Sequence, residues 1–327
     1  MKTLSRLCLL ALTVAALGSA ACSPDRTPKH APISPATPTT TPGGDPSPTT
    51  SGGDPLFPKN VFIGSKVDQP GFNVYTDHTW VGFEAELSAY LGRKLNFTPQ
   101  YHDVPSAQRE KVLQEEVVEL VIATYSITPE RAKLVDFVGP YLKTRQGLLV
   151  KKGDHRIRTV NDTAGKQICT VKGSTSAPEE GKSNPTAGQG NYLHKDAHFV
   201  HLSDYQACVD DVRAGNSHAV WTDIPILYGY TEAGGVPMEV VSGIEVGKIQ
   251  LYGIGIAKEK DLDMSLEQNR HQPERCRALE GALKTFLQNE WYERFRVRFE
   301  NLTKANPDFE ATYKPTEDEV SLNTTCG

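Results

Sequence analysis

Two kinds of hydrophobic pattern alternate along this chain, and this alternation limits its fold more than any other feature. Short runs rich in β-branched and aromatic residues predict strands, and stretches with apolar residues at helical spacing lie between them. One such stretch has Phe83, Leu87, Tyr90 and Leu91 at positions i, i+4, i+7 and i+8, which predicts a helix with one buried face. Strands that alternate with helices form parallel-rich sheets covered by helices on both faces. The sequence therefore predicts an α/β fold, with strands at 61–66, 96–101, 118–126, 147–152, 166–172, 197–203, 218–223 and 251–259.

The first 58 residues lack this pattern. Lys2 and Arg6 precede an apolar run at 7–17, and small residues then lead to Cys22. This order is typical of an export signal, and the apolar run is shorter than the roughly 20 residues that a membrane-spanning helix needs. We expect a lipoprotein signal peptide at 1–21 and lipidation of Cys22, with a plain secretory signal as the alternative.

Residues 22–58 are dense in Pro, Thr, Ser and Gly and nearly lack aromatic residues. A segment of this composition buries too little apolar surface to become ordered, so we expect a disordered tether that follows the lipidated cysteine. The folded part would then be exported and lipid-anchored to the outer face of the bacterial cytoplasmic membrane. A net charge of −5 argues against nucleic acid as a partner.

Two of the six cysteines fall in the predicted signal peptide and at the predicted lipidation site. The other four, an even number in an exported chain, predict two disulfides. Three pairings are possible, sequence order favours joining the first to the second and the third to the fourth, and buried free thiols are the alternative. No CxxC or histidine-rich motif is present, so we expect no metal and no cofactor. The four cysteines are Cys169, Cys208, Cys276 and Cys326.

The turns that follow predicted strands deserve scrutiny, because ligands of open α/β sheets bind outside the carboxyl ends of strands. In the first such turn Thr128 precedes a proline, which predicts a helix start, and Arg131 then falls in the first helical turn. A cation is disfavoured there by the helix dipole, unless it shares an anion with the helix end. With the hydroxyls of Thr124 and Ser126, this arginine has the components of a carboxylate clamp. The alternative is a surface arginine offset by its acidic neighbour.

Two later turns carry further candidates. Residues 173–176 read Gly-Ser-Thr-Ser, whose hydroxyls either cap a helix or bind an anion. Asp223 ends a predicted strand before a helix, where it is either an N-cap or a partner for a ligand ammonium. One carboxylate clamp and one anion for an amine together indicate recognition of an α-amino acid. No catalytic triad, paired carboxylates or phosphate loop accompanies them, so we expect a binding protein and no enzyme.

Five stretches carry a resemblance to a known family: VGFEAELSAYLGRKL, IATYSITPERAKLVDFVGPYL, GLLVKKGD, VKGSTS and AVWTDIPILYGY. In combination they resemble the amino-acid-binding proteins of ABC importers, the family-3 extracellular solute-binding proteins, across most of residues 59–300. The stretches at 63–72 and 105–110 are also similar to glutamate-binding lipoproteins of actinobacterial importers, which have cysteines at positions similar to Cys169 and Cys208.

The resemblance implies a two-lobed periplasmic-binding-protein fold of type II, in which two parallel-rich sheets are joined by two crossing strands and the ligand lies in the cleft. Lobe one would comprise residues 59–148 and 250–300, and lobe two residues 149–249. The C-terminal tail, 301–327, has no clear counterpart in the family.

The resemblance also assigns roles in the site. It implies that Arg131 binds the α-carboxylate of the ligand with help from Ser126 and Thr124, and that Thr175 supplies the hydroxyl of the Gly-Ser-Thr turn. Asp223 would take the α-ammonium. Lys66, at a position that faces the ligand side chain, suits a side-chain carboxylate, because an unpaired buried charge is costly.

Lys172 is a second candidate for that role, and Gln69 stands where many relatives place an aromatic that covers the ligand. The expected function is binding of glutamate or aspartate by hinge closure, as a monomer that delivers its ligand to an ABC importer permease. The alternatives are a dehydratase-like enzyme on the same scaffold and a ligand-sensing lipoprotein without transport.

Overall fold

The structure, a computed structural model, leaves the N-terminus of the chain undescribed. The predicted signal peptide, Cys22 and most of the predicted tether therefore lie outside the described part. Within it, no helix combines the length and apolar character needed to cross a membrane. The described residues are 55–177, 192–232, 235–259, 263 and 271–326.

The last four residues of the predicted tether, 55–58, are packed against the folded domain. Leu56 and Phe57 are 5% and 2% exposed, so the tether prediction extends too far toward the C-terminus. The Phe57 ring lies 5.3 Å from the ring of Phe97 and 5.0 Å from the guanidinium carbon of Arg275. Burial of these two apolar side chains, which composition alone did not reveal, orders this short segment.

The strands of the described residues form one large mixed sheet and one small antiparallel sheet. Their bounds are β1 (Asn60–Ser65), β2 (Asp68–Gln69), β3 (Asn73–Thr76), β4 (Thr79–Val81), β5 (Thr98–Asp103), β6 (Leu120–Val121), β7 (Asp136–Lys151), β8 (Gln167–Val171), β9 (His198–Leu202), β10 (Ala219–Asp223), β11 (Met238–Val240) and β12 (Val246–Ile256).

The large sheet has the order β5-β1-β6-β12-β7-β10-β8-β9, and β11 pairs with β7. Strands β1, β5 and β6 are parallel to one another, as are β8, β9 and β10. We call the first group with its helices the first lobe and the second group with its helices the second lobe. The long antiparallel strands β7 and β12 lie between them, so they are the crossing strands. The sequence prediction at 147–152 identified only the end of β7, because its first half lacks alternation of apolar and polar residues.

Helices cover the sheet. Their bounds are α1 (Phe83–Leu95), α2 (Arg109–Gln114), α3 (Pro129–Ala132), α4 (Tyr205–Ala214), α5 (Ile224–Thr231), α6 (Gln272–Asn289), α7 (Trp291–Arg298), α8 (Glu300–Ala305), α9 (Phe309–Tyr313) and α10 (Glu317–Asn323). Helix α1 forms where the sequence predicts it: Phe83, Leu87 and Leu91 share one face and are fully buried. Asn96 ends it in a left-handed conformation, with φ of 61°.

In the part of the chain that the structure describes, two disulfides are present, Cys169–Cys208 and Cys276–Cys326, which is the pairing that sequence order favours. The first joins β8 to α4 in the second lobe. The second joins α6 to the end of the chain.

The C-terminal tail packs against the crossing strand β7. The Thr325 amide donates to the Phe137 carbonyl, and the Phe137 amide donates to the Thr325 hydroxyl. Lys143 of β7 forms an ion pair of 3.1 Å with Glu319 of α10. The tail, which had no counterpart in the family resemblance, thus covers the first half of a crossing strand.

Candidate functional site

The turn between β6 and α3 has the helix start that the sequence predicts. Thr128 is the N-cap of α3, its hydroxyl accepts a hydrogen bond from the Arg131 amide at 3.2 Å, and a proline follows it. The Arg131 guanidinium donates to the carbonyls of Ser126 and Gly173, each at 2.8 Å. Its Nε lies 3.2 Å from a carboxylate oxygen of Glu110, so this arginine is not a surface residue paired with its sequence neighbour.

Burial is the dominant influence on the charge of this guanidinium. It lowers the pKa of Arg131 to about 10; the cation of Arg109 acts in the same direction, and the carboxylate of Glu110 opposes both. The side chain is 12% exposed. A buried, partly compensated cation of this kind favours an anionic ligand.

A second arginine, Arg109, lies beside the first, and the sequence prediction did not assign it a role. It is 2% exposed, and its Nη1 donates to the carbonyls of Ala123 and Thr124, each at 3.0 Å. Its Nη2 donates to the Gly173 carbonyl at 3.1 Å. Arg109 begins a short helix with no periodic pattern, and only the family-like stretch 105–110 drew attention to it.

Both arginines stack on one aromatic ring. The guanidinium carbons of Arg109 and Arg131 lie 4.6 and 5.1 Å from the centroid of Tyr125. A tyrosine face stabilises a nearby cation, and here it holds two like charges side by side. Because both guanidiniums also donate to the Gly173 carbonyl, the first lobe presents a doubly cationic surface to the turn after β8.

That turn approaches the first lobe closely. Gly173 has a φ of +77°, and a Cβ atom on it would lie 2.5 Å from the Cα of Ala107. Thr175 accepts a hydrogen bond from the Gln146 side-chain amide at 3.1 Å. The hydroxyls of Ser174 and Ser176 lie 2.9 Å apart and share a hydrogen bond. Hydroxyl groups are therefore available beside the two arginines.

Asp223 closes the opposite side of the site. It occupies the N-cap position of α5, but its side chain makes no capping hydrogen bond, so the N-cap alternative does not describe it. Its Oδ2 accepts from the Tyr252 hydroxyl at 2.5 Å, and its Oδ1 has no hydrogen-bond partner among the described residues. Burial raises the pKa of Asp223 to about 6, although the Tyr252 hydroxyl, the Gln146 side chain and the two arginines lower it.

These groups surround one small cavity of about 10 Å³, room for about one water molecule. Among the residues that sequence analysis proposed, four line it: Thr124, Ser126, Thr175 and Asp223. Arg131 adjoins the cavity through its hydrogen bonds to Ser126 and Gly173. The lining side chains among the described residues are Ser106, Arg109, Thr124, Ser126, Ser174, Thr175, Tyr205, Asp223 and Ile226.

Lys66 is not among those lining residues. Its ammonium lies 3.8 Å from a carboxylate oxygen of Asp68 and 3.5 Å from the carbonyl oxygen of Val104. Burial lowers the pKa of Lys66, while Asp68 raises it. Lys172 is exposed. The amide of Gln69 is buried with no hydrogen-bond partner among the described residues.

The site thus combines two guanidiniums, several hydroxyls and one buried carboxyl group with an unused oxygen. This arrangement matches a small zwitterion: an anionic end at the arginines and a cationic end at Asp223. Across the described residues, no cluster of histidine, cysteine or acidic side chains is arranged to hold a metal ion.

Comparison with known proteins places the chain in a family. It matches the bacterial extracellular solute-binding proteins, family 3, over residues 61–301, which is more than half of its length, and it belongs to that family. The glutamate-binding protein GluB of Corynebacterium efficiens is 34% identical over 226 residues, covering 64% of this chain and 74% of the relative. The glutamine-binding protein GlnH of Bacillus subtilis is 30% identical over 155 residues, covering 46% and 53%.

Solved structures agree with this placement. An ancestral arginine-binding protein bound to arginine has a TM-score of 0.60 at 23% identity, covering 74% of this chain and 98% of that one. A solute receptor for L-cysteine of Neisseria gonorrhoeae has a TM-score of 0.61 at 18% identity, covering 79% and 96%. At these identities the likeness concerns the fold alone, and it confirms the type II periplasmic-binding-protein fold that the sequence predicts.

Proposed function

We propose that this chain is the extracellular substrate-binding lipoprotein of an ABC importer and binds an acidic α-amino acid, glutamate or aspartate. One observation carries the proposal: the buried guanidinium of Arg109 and the buried carboxyl group of Asp223, with its unpaired oxygen, line one cavity, and the guanidinium of Arg131 adjoins it. An unpaired buried acceptor costs free energy, which a ligand ammonium would recover. The name of the GluB relative, a glutamate-binding protein, supports an acidic ligand.

The α-amino acid would lie between the lobes. Arg131, with the hydroxyls of Ser126 and Thr124, would bind the α-carboxylate by charge-assisted hydrogen bonds. The unused Oδ1 of Asp223 would accept from the α-ammonium, and the Thr175 hydroxyl would bind a second carboxylate oxygen. Each of these assignments uses a group that lines or adjoins the cavity.

The side-chain carboxylate of the ligand has two candidate partners. Lys66 is the one that the family resemblance implies, but Asp68 already compensates its charge. Arg109 lines the cavity, and the hydrogen bonds that it makes to described residues all go to backbone carbonyl oxygens, which do not neutralise its charge. We therefore propose Arg109 as the principal partner and Lys66 as a second cation behind it.

Hinge closure follows from the division of these groups between the lobes. Arg109 and Arg131 belong to the first lobe, whereas Thr175 and Asp223 belong to the second. A ligand that touches both lobes stabilises the closed form through its differential affinity for that form. The cavity of about 10 Å³ is smaller than any amino acid, so entry requires the crossing strands to let the lobes separate. We propose lobe boundaries at 148/149 and 249/250 of the sequence.

A thermal-shift screen against the amino acids tests this function, because a ligand that binds the native state raises the melting temperature. We expect glutamate or aspartate to give the largest shift. Arg131→Ala should abolish binding in calorimetry without unfolding the protein. Near-normal affinity in that variant would contradict the clamp, and release of a chemically altered amino acid would favour the dehydratase-like alternative.

A further inference from the structure

The wall behind the site contains a carboxyl group that the proposed function does not use. Glu84, the second residue of α1, is fully buried. Its Oε1 accepts hydrogen bonds from the Thr124 amide at 2.6 Å and from the Tyr141 hydroxyl at 2.5 Å. Its Oε2 has no hydrogen-bond partner among the described residues. The bond to the tyrosine hydroxyl is as short as bonds to an ionised acceptor are.

Thr124 connects this carboxylate to the turn between β6 and α3, which we call the clamp turn. Its φ is 46°, a left-handed conformation that non-glycine residues adopt only where surrounding contacts hold it. Glu84 holds its amide, and Arg109 donates to its carbonyl at 3.0 Å. The ionised carboxylate therefore fixes the turn that carries Ser126 and that fastens Arg109.

The same carboxylate is connected to the second lobe through the crossing strands. Tyr141 lies on β7, and its ring centroid is 6.0 Å from that of Tyr252 on β12. The Tyr252 hydroxyl donates to Asp223. Each tyrosine hydroxyl thus binds one buried carboxyl group, Glu84 in the first lobe and Asp223 in the second. These contacts connect Glu84, behind the site in the first lobe, to Asp223 in the second lobe through the two crossing strands.

Among the described residues, three ionisable groups face Glu84 from neighbouring elements: Tyr141 on β7, Arg109 on α2 and Lys66 after β1. Burial raises the pKa of Glu84 to about 7, although the hydrogen bonds from Tyr141 and Thr124 and the two cations lower it. The carboxyl group therefore changes its charge near neutral pH.

We propose that Glu84 is a positioning residue whose ionised carboxylate holds the clamp turn in its binding geometry, so that protonation of Glu84 weakens binding of the acidic amino acid. This inference rests on the proposed function, because it concerns the same site. If only the ionised form binds, the binding-competent fraction of a group that titrates near pH 7 falls about tenfold between pH 8 and pH 6. The apparent Kd then rises about tenfold over that interval.

Calorimetry with L-glutamate between pH 6 and pH 8, on the full chain, tests this. Glu84→Gln keeps the shape of the side chain but removes this titrating group, so the rise in Kd should shrink from about tenfold to at most about twofold, the change that Asp223, with a pKa of about 6, can produce over this interval. Tyr141→Phe removes a hydrogen bond that lowers the pKa of Glu84, so the rise in Kd should begin at higher pH. Glu86→Gln is the matched control: it alters the same helix, but its carboxylate pairs with Arg294 and Arg298, and it should keep the wild-type profile.

A wild-type Kd that is constant from pH 6 to pH 8, or that falls on acidification, overturns the proposal. So does a wild-type profile that persists in Glu84→Gln. If Glu84→Gln does not fold, Tyr141→Phe replaces it: a dependence of Kd on pH that is identical to that of the wild type then also overturns the proposal. Failure of the proposed function gives a different result: the wild-type protein would bind neither glutamate nor aspartate at any pH, and both conclusions would then be wrong.

Discussion

Alanine at Gly173 tests hinge closure directly, because this second-lobe glycine closely approaches the backbone of the first lobe beside the site. Its φ of +77° is a left-handed conformation, and a Cβ atom would lie 2.5 Å from the Cα and 2.6 Å from the amide nitrogen of Ala107. Both are backbone atoms, so no flexible side chain can move aside. The substitution therefore has two costs, and they act on different equilibria.

The backbone cost acts on folding in the open and closed forms alike. An alanine in the left-handed region is about 1 kcal/mol less favourable than glycine, which corresponds to roughly 2 to 4 °C in Tm for a domain of this size. The steric cost acts on closure alone. Overpacking of this kind costs about 1 to 3 kcal/mol, so the Kd for the amino acid should rise about 5- to 150-fold.

Gly153→Ala provides a matched control. Gly153 has a φ of +80°, nearly that of Gly173, but a Cβ atom there would have no neighbour within 4 Å. We expect this variant to lose the same amount of Tm and to keep the wild-type Kd. Chemical or thermal unfolding measures the first quantity, and calorimetry with glutamate measures the second. Wild-type affinity in Gly173→Ala would show that ligand binding does not require the contact between Gly173 and Ala107.

Two further predictions concern the ligand side chain and the tail. Arg109→Gln should weaken binding of glutamate far more than that of glutamine, and Lys66→Ala, which removes the second cation, should show the same preference to a smaller degree. Calorimetry with the two ligands decides, and a larger glutamate-selective loss in Lys66→Ala than in Arg109→Gln would reverse the assignment. Replacing Cys276 and Cys326 by serine should lower the free energy of unfolding by about 4 kcal/mol, because the disulfide closes a loop with a sequence separation of 50 residues. Urea unfolding measures this loss. The Kd should not change, because neither cysteine lines the cavity. Unchanged stability would show that noncovalent contacts alone hold the tail on β7.

The sequence predicts well what depends on neighbouring residues. The helix start at Thr128 and the buried face of α1 are set by local chemistry, and the structure reproduces both. Asp223 was ambiguous, because a strand-end aspartate before a helix suits either capping or ligand binding. Only the structure shows that its side chain leaves the helix uncapped and turns to Tyr252.

What the sequence did not reveal depends on contacts between distant segments. Arg109 has no local signature, and it becomes part of the site because α2 brings it against the turns at 123–124 and at Gly173. Glu84 looks like an ordinary acid in the first turn of a helix. Its burial, and its bonds to groups 40 and 57 residues away in the chain, follow from tertiary packing alone.

Both ends of the described chain are fastened to one turn of helix α6. Phe57 packs against Arg275, and Cys326 is bonded to the next residue, Cys276. A mechanical load that reaches the protein through the residues before 55 is therefore borne by the first lobe, on the helix that also holds the C-terminus. The second lobe carries neither end of the described chain, so tension applied through the residues before 55 would not pull directly on the strands that must bend. Tension of this kind would therefore favour neither the open nor the closed form of the protein.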